Sequence, residues 1–71
     1  MAIFQVGKDF ETLERAGMAD WFQVNTLLDE EENDISEQID TGQHFKDNDD
    51  LIKYLSNRFN IPESDIFLEE F

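Results

Sequence analysis

Polar and apolar residues alternate from Ala2 to Val6, with Ala2, Phe4 and Val6 on one side, a pattern that predicts a first β-strand. Gly7-Lys8 predicts a turn. Asp9 is then a favourable N-cap for a two-turn helix in which Phe10, Leu13 and Gly17 share a side. Arg15 falls in its last turn, where a cation complements the helix dipole, and Gly17 supplies a left-handed stop. Trp21 to Leu28 alternates again, with Phe22, Val24, Thr26 and Leu28 facing one way. Ile35 to Phe45 repeats the pattern through Ile35, Ile39, Thr41 and Phe45. The polar run Asp29-Glu30-Glu31-Glu32-Asn33-Asp34 between them predicts an antiparallel hairpin with an acidic tip.

Asp47 predicts the cap of a second helix, with Asp49 and Asp50 in its first turn, where carboxylates are favourable. Leu51, Ile52, Leu55 and Phe59 recur at helical spacing and form the strongest apolar stripe of the chain. Asn60 can end this helix, and Pro62 drives Ile61 into an extended conformation. Residues 62–71 fit two readings. Pro62 followed by Glu63 and Asp65 suits the start of a short terminal helix. The compact, β-favouring run Ile66-Phe67-Leu68 after a turn favours a strand, which is the reading preferred here. The order is then β-α-β-β-α-β. It predicts an α+β fold, a small antiparallel or mixed sheet of three to four strands with two helices on one face, as a single domain over residues 1–71.

Length and composition narrow the function classes. A chain of 71 residues buries only about 60% of its unfolded surface, so its core is modest. It has no Cys, hence no disulfide and no thiolate ligand, and seven Phe, Trp21 and Tyr54 must help hold it together. No run approaches the roughly 20 apolar residues of a membrane span. Met1 to Val6 lacks the basic start and long apolar core of a signal peptide, so a cytoplasmic location is expected.

Eighteen acids against five bases leave a formal charge of −13. Such a balance repels nucleic acid and anionic membranes and attracts basic surfaces, so the expected partner is a protein with a basic surface. A compact domain of this length is roughly 29 Å across. The same length of duplex DNA carries about 17 charges, a comparable number.

Motifs for catalysis or metal binding are weak. Asp40-Thr41-Gly42 matches the tripeptide of aspartic proteases, but Gln43 departs from the small residue usual after it, and a strand end is the simpler reading. Asp29, Glu31 and Asn33 occupy positions one, three and five of a calcium-loop pattern, whose sixth position here is Asp34 where Gly is needed, and whose twelfth is Asp40 where Glu is usual. His44 is the only histidine, and Gly7, Gly17 and Gly42 are too far apart to form a phosphate-cradling loop. The expectation is a protein without catalytic residues, metal or cofactor.

The run from Asp29 to Asp50 holds ten of the eighteen acids and one base, Lys46. Its exposed carboxylates, Glu30, Glu31, Glu32, Asp34, Asp47, Asp49 and Asp50, are the candidate partner-binding residues. They would form one negative surface if the hairpin folds back beside the second helix. Trp21 and Tyr54, with one of Phe67 and Phe71, fall off the inward positions, and Trp21 or Phe71 is the candidate apolar anchor within a charged rim. A terminal edge strand at Ile66 to Phe71 would be free to pair with a copy of itself, which leaves a homodimer open.

An acidic single-domain chain of this kind resembles in class the small phage-encoded DNA-mimic inhibitors, which occupy the nucleic-acid groove of a host enzyme with carboxylates in place of phosphates. Pro62-Glu63-Ser64-Asp65-Ile66 is similar to a stretch of the phage uracil-DNA glycosylase inhibitor that leads into a strand. That family's enzyme-contacting edge strand has no counterpart here, so no functional residue carries over. The resemblance implies inhibition by occlusion of a basic groove. The alternative expectation is a small interaction or regulatory module whose acidity serves solubility.

Overall fold

The computed structural model describes residues 1–71. The elements are β1 (Ala2–Asp9), α1 (Glu11–Arg15), β2 (Phe22–Leu28), β3 (His44–Phe45), α2 (Asn48–Phe59) and β4 (Ile66–Glu70), with single 3-10 turns at Ser36–Gln38 and Glu63–Asp65. The fold is α+β in the expected β-α-β-β-α-β order. Its four-stranded sheet runs β3-β2-β1-β4, with β1 antiparallel to β2, β2 antiparallel to β3, and β1 parallel to β4. The last segment is a strand, as preferred. Its parallel pairing makes the sheet mixed.

The helix boundaries follow from local chemistry. The Asp9 carboxylate accepts hydrogen bonds from Thr12 N (3.2 Å) and Thr12 Oγ1 (2.7 Å), which anchors the first turn of α1. Gly17, at φ 83°, ends it. Gly17 N donates to Glu14 O and Met18 N to Leu13 O, the paired bonds of a Schellman stop. Asp47 Oδ1 accepts from Asp50 N at 2.8 Å and starts α2, and Asn60, in the left-handed region, ends it.

One face of the sheet is covered. Leu51 and Leu55 of α2 are fully buried with Phe4, Val6, Phe22, Val24, Leu27, Phe45 and Ile66 in one cluster, joined by Ile39. Phe10, just before α1, lies 5.4 Å from the Phe22 ring, which places α1 at the end of the same face. At about 25 cal/mol per Å² of apolar surface, this layer is the main source of stability.

Three expectations are corrected. Gly7-Lys8 does not turn the chain, because β1 runs through both to Asp9. The two hairpin strands differ from their expected pattern. Phe22 and Val24 face the core, but Thr26 and Leu28 do not. A β-bulge opposite Gly7/Lys8 inserts Asn25, so Leu27 takes the inward position beside Val6. A single extra residue flips everything beyond it. The return strand of the hairpin is also discontinuous. Leu28 bridges Asp34 at the tip and Phe22 pairs Phe45 at the base. Six residue steps separate the two positions on β2 and eleven on the returning chain, so five residues loop out. Within that loop Ile39 still turns inward, while Thr41 is exposed. Ser36 supports it, its Oγ accepting the Leu27 N–H at 2.8 Å.

No helix is long and apolar enough to cross a membrane.

Candidate interaction surface

The other face of the sheet carries no helix. Alternation and register place Ile3, Gln5 and Gly7 of β1, Thr26 and Leu28 of β2, and Phe67 and Glu69 of β4 on it. Phe67, beside Ile3, is 50% exposed, and Phe71, just past β4, is 67% exposed. The Phe71 ring lies over Gly7, where even a Cβ would come within 3.4 Å of it and within 2.7 Å of Asn25 Oδ1. Both terminal aromatics are therefore on the surface. Tyr54 is not: its ring meets Phe45 edge-on at 5.4 Å, and its hydroxyl oxygen accepts the Asp40 N–H at 2.8 Å. Trp21 is half-buried in the turn before β2.

The hairpin tip is built by its own acids. Asp29 accepts from Glu31 N (2.9 Å), Asn33 N (3.0 Å) and Asn33 Nδ2 (3.3 Å). The bond from the Asn33 backbone amide leads in lowering the Asp29 pKa below its ordinary value. The Asp34 pKa is lowered chiefly by the Ser36 hydroxyl and next by the Ser36 N–H, which Asp34 accepts at 2.9 Å. Glu30 reaches back to β1, its Oε1 accepting the Ile3 N–H at 3.0 Å. There β2 has already turned away, and the carboxylate takes the place of a strand carbonyl. Glu31 and Glu32 are left exposed, with no bonded side-chain partner.

The candidate acids do not form one surface. The tip follows Leu28 at one end of β2, whereas Asp47, Asp49 and Asp50 follow Phe45, which pairs with Phe22 at the other. Six strand steps put the two groups about 20 Å apart. Asp47 and Asp50 are moreover turned to backbone amides, Asp50 Oδ2 accepting from Lys46 N at 3.4 Å. From Lys46 to Phe59 three acids meet three bases, and the segment is neutral.

What meets the tip is the C-terminal segment. Parallel pairing sets Ile66 beside Ala2 and Phe67 beside Ile3, at the end of the sheet where Glu30 holds Ile3. Asp29, Glu30 and Glu69 line a shallow depression of about 240 Å³ floored by Ile3 and Gln5. A second, of about 210 Å³, adjoins it between Met1 to Phe4 and Asp29 to Glu31. Residues 29–40 contribute seven acids and 63–70 four, with no base in either, which accounts for eleven of the thirteen net charges.

The bases lie elsewhere. Lys46, Lys53 and Arg58 lie just before or on α2, and Arg15 of α1 pairs with Glu11. Lys8 is turned into the covered face, its side chain 10% exposed. Its Nζ meets Asn48 Oδ1 at 2.6 Å and Glu70 at 2.5 Å, and lies 4.6 Å from the Phe22 ring centre. The uncovered face therefore carries no Lys or Arg. Sequence reading missed Glu69, for which the absence of any base after Arg58 was the available signal, and it set only one of Phe67 and Phe71 outward where both are exposed.

Asp40 of the protease-like tripeptide accepts from Gly42 N at 2.8 Å in an exposed turn. No three His, Asp or Glu side chains converge on a metal-binding position. No protein-family model, no curated protein and no solved structure matches the chain.

Proposed function

We propose that this protein works by binding the basic surface of another protein, one that grips nucleic acid, and blocks it by occlusion. The carrying observation is the segregation of charge. The two base-free acidic stretches meet at one end of an uncovered sheet face, while the bases are held on the helix side. The molecule is 35 Å long, a length of duplex that bears about 20 charges, so its net −13 is a fair fraction of that density. Glu31, Glu32 and Glu69 meet the partner's Lys and Arg groups, and Phe67 and Phe71 add apolar contact that salt does not weaken. Asp47, Asp49 and Asp50 play a lesser part in this reading than their sequence position suggested.

A capture experiment tests it. Tagged protein is incubated with cell extract, washed at roughly 0.15 M and 0.5 M salt, and challenged with duplex DNA; screening is far stronger at the higher salt. The expected result is a nucleic-acid-handling protein that the duplex displaces and that the Glu31→Gln/Glu32→Gln/Glu69→Gln variant no longer captures. A second reading, an interaction module anchored by the apolar sheet face, is favoured by the exposure of Phe67 and Phe71. It expects capture that survives 0.5 M salt, ignores DNA, and is lost with Phe67→Ser.

A further inference from the structure

The sheet ends in an open edge. Phe71 N donates to Val6 O at 3.3 Å, so residues 67, 69 and 71 turn their backbone groups toward β1. Strand geometry then turns the backbone N–H and C=O groups of Ile66, Leu68 and Glu70 toward the open edge, while the Ile66 side chain stays in the core. The Ile66 N–H is used by Glu63 O, which leaves the N–H groups of Leu68 and Glu70 and the three carbonyls along an edge that no strand pairs. The opposite edge is unlike it: β3 has two residues.

Proteins usually protect such an edge with a lysine, a bulge or a covering loop. This one has none of these. Its flanking charges are Glu63, Asp65, Glu69 and Glu70, and its one nearby base, Lys8, is already bonded to Glu70. Two copies of a chain of charge −13 repel when brought together here, and a parallel self-pair would set Glu69 against Glu69. The same carboxylates attract an extended segment that carries Lys or Arg.

We propose that β4 is completed by strand addition: an extended, basic segment of a partner protein pairs along Ile66–Glu70 as a fifth strand. Main-chain bonds to Leu68 and Glu70 fix its register. Glu63, Asp65 and Glu69 select its charge, and Phe67 receives an apolar residue on the uncovered face. This deepens the proposed function by naming how the basic partner is held.

The test uses the whole protein and a ten-residue peptide alternating Lys and Val, with a Glu/Val peptide and a Lys/Val peptide N-methylated on alternate amides as controls. Amide exchange and chemical shifts are followed by NMR. Saturating Lys/Val peptide is expected to slow exchange at Leu68 and Glu70 by about tenfold or more, and the Glu/Val peptide to leave them unchanged. N-methylation, or Leu68→Pro on the protein, is expected to weaken binding by about tenfold, the weight of one or two hydrogen bonds. Equal binding of the methylated peptide, without protection of these two amides, overturns strand addition and leaves binding to a basic surface standing. Absence of peptide binding also overturns it, as does protection of the same amides in a dimer of the free protein. The capture experiment can fail while the edge still takes the peptide, so the two ideas fall separately.

Discussion

The tip after β2 and the N-terminus of α2 have nearly the same composition and opposite effects on the field around the molecule. Each uses carboxylates to hold backbone amides: Asp29, Asp34 and Glu30 at the tip, Asp47 and Asp50 at the helix. The helix start is then neutralised by Lys46, Lys53 and Arg58 within its own segment. The tip has no such neighbours, and the fold brings more acid to it. A count of acids thus says little about where a negative surface lies. The placement of the few bases decides it, and four of the five sit on or beside the helices, with Lys8 turned in beneath them.

The largest effect should separate the two faces of the sheet. Leu55 is fully buried between α2 and the strands, so Leu55→Ala is expected to cost about 2–5 kcal/mol, a large part of the stability of so small a domain. Phe67→Ala, on the uncovered face, should change stability by no more than about 0.5 kcal/mol. Urea unfolding of both variants checks this. Equal losses would mean that the open face is part of the folded core, and the docking surface would have to be abandoned.

A smaller effect should separate acids within the helix start. Asp47→Ala removes the N-cap of α2 and is expected to cost about 1 kcal/mol, lowering the melting temperature by roughly 4–8 °C. Asp49→Asn, one turn position further on and without a bonded partner, should stay within about 0.5 kcal/mol. If the two variants melt together, Asp47 is not capping the helix. It would then be free to join a binding surface, as the sequence alone suggested.

Much of the fold was legible because it is locally encoded. Asp9, Gly17, Asp47 and Asn60 mark helix ends by chemistry that acts over four or five residues, and the Leu51, Leu55, Phe59 stripe needs only the helical period. The site was less legible because it is made by pairing. Nothing in Trp21 to Leu28 announces that Asn25 is an extra residue; the bulge arises against Gly7, eighteen positions away. Nothing in Asp29 to Asp34 says that its neighbour is Glu69, which follows from β4 lying parallel to β1. Sequence proximity joined the tip to Asp47, whereas the sheet order joined it to the C-terminal segment. Tyr54 was misplaced for a related reason, since its hydroxyl serves the looped-out chain at Asp40.

The smallest effect concerns pH and distinguishes tip acids that hold the fold from those free to bind. Asp29 and Asp34 have folded pKa values below the ordinary 3.8, from the bonds given by Asn33 and Ser36 respectively. A carboxyl depressed on folding contributes stability above its unfolded pKa, and that contribution is lost as pH falls through the folded value. Asp29→Ala removes the contribution at every pH. The gap in melting temperature between the protein and this variant should therefore be constant from pH 7 down to about 5, narrow below about 4, and close once Asp29 is protonated in both states. Taking the gap, and not the melting temperature itself, cancels the titration of the other acids. Glu32→Ala, at an exposed tip position without a bonded partner, should leave the melting temperature at pH 7 close to that of the protein. A gap for Glu32 equal to that for Asp29 would mean that the free acids are also tied into the turn, and would remove Glu32 from the proposed contact surface.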